Sequence, residues 1–64
     1  MRLTVFWDRM NQQFGEAYAQ SVAKDYVIAE LKGRTVEQAL ADGEPAKRIW
    51  AAVVATFDVP QYLH

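Results

Sequence analysis

The sequence predicts an all-α fold, a compact small domain of three to four helices formed by residues 1–64 as one unit. Two observations carry this expectation. Apolar residues recur at spacings of three and four, the signature of amphipathic helices. Gly15, Gly33, Gly43 and Pro45 punctuate the chain at places suited to helix ends and starts. No internal repeat, low-complexity segment or linker-length stretch divides the chain further.

The first helix is expected over residues 5–14. Leu3, Phe6, Trp7, Met10 and Phe14 form its apolar stripe, while Asp8, Arg9, Asn11, Gln12 and Gln13 take the other sides. Thr4 has the side-chain oxygen of an N-cap, and Gly15 accepts a positive φ at the C-terminus without a β-carbon penalty. A second helix is expected over 16–32, because no Gly or Pro interrupts that run. Its apolar surface falls on two sides: Tyr18, Val22, Tyr26 and Ala29 make one stripe, whereas Ile28 and Leu31 lie elsewhere. That pattern suggests a central helix with neighbours on both sides, fixed by packing because Val22, Val27 and Ile28 are β-branched.

Gly33 stops the second helix and Thr35 starts a third over 36–42. Thr35-Val36-Glu37-Gln38 matches the reciprocal capping box. Two turns are marginal alone, so this helix needs Val36 and Leu40 to find an apolar surface. The last helix is expected over 45–57, with Glu44 near its free amides and Pro45 at its first position. Ile49, Trp50, Val53, Val54 and Phe57 form its buried side, and Asp58-Val59-Pro60 ends it. For residues 61–64 two alternatives stand: a frayed tail, or Tyr62 and Leu63 folding back. The predicted core is Phe6, Met10, Phe14, Val22, Tyr26, Leu31, Leu40, Ile49, Trp50, Val53 and Phe57.

Composition narrows the function. With 64 residues, no cysteine and one histidine, neither a disulfide nor a thiolate metal site supplements the core, and His64 supplies at most one metal ligand. No cofactor is expected. Asp8 and Arg9 interrupt any signal-peptide-like run near the start, and the longest apolar stretch, Ile49 to Phe57, falls well short of the ~18 residues of a membrane span. A soluble cytoplasmic protein without membrane association is expected.

Chemistry-bearing patterns are sparse. Asp8, Glu16, Asp25 and Glu30 have no spacing that sets two carboxylates around a substrate, although Glu30 beside Tyr26, Val27 and Ala29 is a candidate for burial. There is no histidine pair, phosphate loop or nucleophile elbow, and Ser21 reads as a surface position. No enzyme activity is expected. The segment from Ala39 through Gly43 to Pro45-Ala46-Lys47-Arg48 resembles the helix-turn-helix arrangement. Lys47 and Arg48 would then face a groove, with Lys32 and Arg34 on phosphates, but Asp42 and Glu44 sit in the same turn. A net charge of −1, from seven basic and eight acidic side chains, lacks the positive bias of nucleic-acid modules. Trp7 and Trp50 both suit core anchoring; Trp7, if exposed, is the candidate hot spot for a partner.

Met1-Arg2-Leu3-Thr4, Phe6-Trp7, Phe14-Gly15-Glu16-Ala17-Tyr18, the run Gly33 to Leu40, and Lys47-Arg48-x-Trp50 occur in an order and spacing that resemble the actinobacterial family of small proteins labelled DUF3046. The resemblance spans nearly the whole chain. Glu44 stands where that family is associated with aspartate before the proline, which keeps an acidic start but weakens the cap. The resemblance implies an actinobacterial cytoplasmic helical protein with no assigned activity, and it transfers no catalytic or binding residue. It also implies gene neighbourhoods near DNA recombination. The functional expectation is therefore a non-enzymatic protein-interaction or regulatory module with a protein partner, the alternative being a helix-turn-helix-like DNA-binding protein linked to DNA metabolism.

Overall fold

In the computed structural model, which describes residues 1–64, four α-helices and two short 3₁₀ turns follow one another: α1 Leu3–Phe14, α2 Glu16–Asp25, a 3₁₀ turn Ala29–Leu31, α3 Val36–Ala41, α4 Ala46–Thr56 and a 3₁₀ turn Gln61–Leu63. The all-α expectation holds. α1 packs against α2 and α4, and α3 closes the structure by touching α2 and α4.

Helix α1 begins earlier than its capping pattern predicted. The Phe6 N–H already donates to the Arg2 carbonyl at 3.0 Å, so Thr4 lies in the first turn and caps nothing; Arg2 is the N-cap residue. Phe6 and Met10 are completely buried on its inner side. Gly15 alone separates α1 from α2. Its φ of 87° and ψ of 149° belong to a region that side chains with a β-carbon avoid.

The predicted helix over 16–32 is the main correction. α2 stops at Asp25, and Tyr26 takes an extended conformation. The chain then reverses between Ile28 and Arg34, which form an antiparallel bridge with the Ile28 N–H donating to the Arg34 carbonyl at 3.0 Å. Lys32 and Gly33 turn this corner with φ of 59° and 75°. The apolar pattern contains the physical reason. A continuous helix would have aimed Ile28 and Leu31 away from the stripe that carries Val22; breaking the helix lets both become fully buried in the core with Ala19, Val22 and Ala23. Tyr26, predicted as core, is 46% exposed instead, and Glu30 is exposed as well.

Helix α3 starts as predicted. The Gln38 N–H donates to Thr35 Oγ1 at 3.1 Å and the Thr35 N–H to Gln38 Oε1 at 2.9 Å, completing the capping box. Val36 and Ala39 face inward, whereas Leu40 is half-buried at the core margin. In α4, Pro45 is the N-cap residue rather than the first helical one, its carbonyl accepting from the Ile49 N–H at 3.1 Å. Ile49, Trp50 and Val53 enter the core, while Phe14 and Phe57, both predicted as core, pack half-buried on its edge.

The tail is ordered by packing. Leu63 is 4% exposed, and its carbonyl accepts the buried Trp50 Nε1–H at 2.9 Å. Arg9 donates to the main-chain oxygen of His64 at 3.2 Å, and the His64 ring lies 3.0 Å from the Val59 carbonyl. Of the two alternatives for residues 61–64, the structure shows Leu63 folded back while Tyr62 stays exposed.

Trp50→Ala is expected to cost about 3–5 kcal/mol and Leu63→Ala about 2–3 kcal/mol in urea denaturation. The two losses should sum to more than the double variant shows, because both side chains belong to the same core cluster. A Leu63→Ala change below about 0.5 kcal/mol would mean that the tail adds nothing to the core.

Candidate interaction surface

Of the four basic residues singled out from the sequence, Arg34, Arg48 and Lys32 gather around Glu44, and Lys47 lies apart. Arg34 follows the Ile28–Arg34 reversal, and its guanidinium is held on three sides. Nε donates to the Leu31 carbonyl at 2.8 Å, NH1 to Asp42 Oδ2 at 2.9 Å, and NH2 to Glu44 Oε2. Arg48, one turn along α4 from Glu44, approaches the same carboxylate oxygen at 3.4 Å. Lys32 is exposed and near enough to add to the positive field on Glu44. Lys47 points elsewhere, into a groove of about 530 Å³ beside Arg9, Trp50, Val54 and His64.

The two acidic residues that the turn sequence placed beside these cations thus pair with Arg34 and Arg48, while Lys32 and Lys47 make no ion pair. Hydrogen bonds to Asp42 and then Glu44 raise the Arg34 pKa, keeping the guanidinium charged. Donation from Arg34 lowers the Glu44 pKa against the opposing effect of desolvation, helped by the charges of Arg48, Arg34 and Lys32. The cluster ties the reversal after Ile28 to the α3–α4 turn.

Trp7, the candidate hot spot, is half-buried. Its ring meets Phe6 edge-on, with centroids 5.4 Å apart and planes at 77°. One side looks onto a shallow depression with Gln20 and Glu37. No three His, Cys, Asp or Glu side chains converge as a metal site, and no helix is long and apolar enough to cross a membrane.

The feature that sequence reasoning missed is a row of four aromatic rings across α1, α2 and the end of α4. Tyr18 lies 6.2 Å from Phe14, Phe14 5.0 Å from Phe57, and Phe57 4.9 Å from Tyr26, as centroid distances. The two phenylalanines pack on the core; the two tyrosines at the ends of the row are 64% and 46% exposed for Tyr18 and Tyr26 respectively. Between the tyrosines lies a slot of about 210 Å³ that Val22, Ser21 and Asp25 also line. The spacing of Phe14 and Tyr18 marked one end of this row. Nothing local marked the other, because Tyr26 and Phe57 meet only through the tertiary fold.

Glu44 supplies a pH dependence with a definite sign. Its carboxyl pKa is lower folded than unfolded, so its contribution is present above the ordinary carboxylate range and is lost as pH falls through the folded value. Chemical denaturation between about pH 6 and pH 2 should show a steeper acid loss for the native sequence than for Glu44→Gln. Equal slopes would remove the Arg34 cluster as a source of stability.

No curated protein and no solved structure matches the chain. The family model described as a protein of unknown function (DUF3046) matches residues 1–62. That span takes in all four helices, the Ile28–Arg34 reversal and the aromatic row, and stops just before Leu63. The resemblance drawn from the ordered sequence motifs is thereby confirmed, and the chain belongs to the DUF3046 family.

Proposed function

We propose that this domain is a non-catalytic, cytoplasmic protein-interaction module, with a regulatory role exerted through binding, that meets its partner at the aromatic row. The single observation carrying this reading is the placement of Tyr18 and Tyr26 on rings that are themselves seated on the core. Rigid aromatic side chains offer large contact area with little conformational entropy to lose on binding, which is why they dominate interface energetics. Their polar tips keep the surface compatible with water in the free protein. The half-buried Trp7 is a lesser candidate, since much of its surface already belongs to the fold.

The helix-turn-helix reading draws on α3, its short turn and the placement of Lys47 and Arg48 near the start of α4. Phosphate binding requires cations with charge to spare, acting together. Arg34 and Arg48 are instead engaged by Asp42 and Glu44, and Lys47 faces a different groove. DNA binding is therefore the weaker alternative.

A photo-crosslinking residue placed at Tyr18, compared with one at Lys47, tests the reading inside cells. Protein adducts are expected from position 18 and not from position 47. In parallel, duplex DNA is titrated at increasing salt with the native chain and with a Lys47→Ala/Arg48→Ala variant. Salt-sensitive binding abolished by that variant would overturn the proposal in favour of DNA.

A further inference from the structure

We infer that the occupant of the slot between Tyr18 and Tyr26 is an extended, proline-containing peptide segment carrying a basic residue. The inference rests on the interaction reading above and assigns the chemistry of the partner. Three observations converge on it. The first is shape: two exposed tyrosines and Val22 line a shallow, open slot of about 210 Å³, suited to a flat, compact ring. Proline-rich segments adopt a preformed polyproline II helix that docks into aromatic-lined grooves with little further loss of entropy.

The second is hydrogen bonding. Where α2 ends, Tyr26 and Val27 leave the helix in an extended path. The Val27 N–H and C=O pair with no other group of the chain, and the Val27 side chain is 59% exposed. A proline segment has carbonyl oxygens but few N–H groups, so it needs donors from its receptor. The two tyrosine hydroxyls are donors of this kind at the slot, and the unpaired Val27 N–H follows one residue after Tyr26 in the chain. The backbone of a helical partner, already paired within the helix, could not use them.

The third is charge. Asp25 is exposed at the rim of the slot and makes no ion pair or side-chain hydrogen bond within the chain, and no cationic side chain lines the slot with it. Lys24 is its sequence neighbour but is not part of the slot lining. A basic side chain next to proline would meet this carboxylate, fixing peptide direction more than adding affinity.

The experiment is a two-dimensional amide NMR titration of the intact domain with a blocked decaproline containing one central arginine. Two controls carry glutamate in place of the arginine, or the arginine in a glycine-serine decapeptide. Saturable shifts over Tyr18 to Val27 are expected, with a dissociation constant below about 1 mM. Tyr18→Ala should weaken binding by about tenfold. Asp25→Asn should weaken the arginine peptide by about threefold and abolish its preference over the glutamate peptide. Both side chains are exposed, so unchanged amide spectra of the free variants verify folding. Absence of saturable shifts, or equal binding of the glycine-serine peptide, overturns the inference. So does a concentration-dependent dimer dissolved by Tyr18→Ala, which would give the slot to a second copy. If the peptide fails while position 18 still crosslinks to protein, only the peptide chemistry is wrong. Failure of both removes the interaction reading with it.

Discussion

Trp50 is the point at which the beginning, middle and end of the chain meet. Its ring stands edge-on to Phe6 of α1, with centroids 6.0 Å apart and planes at 86°, and its N–H reaches the carbonyl of Leu63. A buried indole carries both a large apolar area and a donor that must be satisfied. The second demand recruits the tail. Once Leu63 is placed over α4, Arg9 and His64 find main-chain oxygens in the same region. A 64-residue domain with no cross-link has few other ways to gather so much buried surface around one residue.

The reversal after α2 is organised by a polar device. Ending α2 at Asp25 places Ile28 and Leu31 in the core, but it leaves a reversal of backbone that no helix stabilises. The Ile28–Arg34 bridge supplies part of the missing pairing, and the Arg34 guanidinium joins the reversal to the turn between α3 and α4. The Thr35–Gln38 capping box follows directly, so one short stretch both closes the corner and starts the next helix. The same arrangement engages Arg34 and Arg48, two of the charges that would otherwise make this turn attractive to phosphate.

Breaking α2 also has a consequence for the surface. In a continuous helix, Tyr26 and Val27 would be ordinary helical positions. In the folded chain Tyr26 is extended and shares a slot with Tyr18, with Phe57 arriving from the end of α4 to support the Tyr26 ring. The step that completes the core thus creates the exposed aromatic row. Core and candidate interface are two faces of one backbone decision.

The apolar periodicities and glycine punctuation determined the helical class, the sides of α1 and α4 that enter the core, and the capped start of α3. These are local matters: a helix side is set by spacing, and the Thr35 cap by residues three apart. The family was legible too, because its motifs occur in sequence order. The break after Asp25, the burial of Ile28, the docking of Leu63, the pairing of Arg34 with Asp42 and Glu44, and the contact of Tyr26 with Phe57 were decided only by the tertiary structure. The run Tyr18 to Leu31 did show two apolar sides, but two sides are equally satisfied by two neighbours or by one bend. Choosing between them depends on whether enough chain remains to supply a second neighbour, a property of the whole small core and not of any local window.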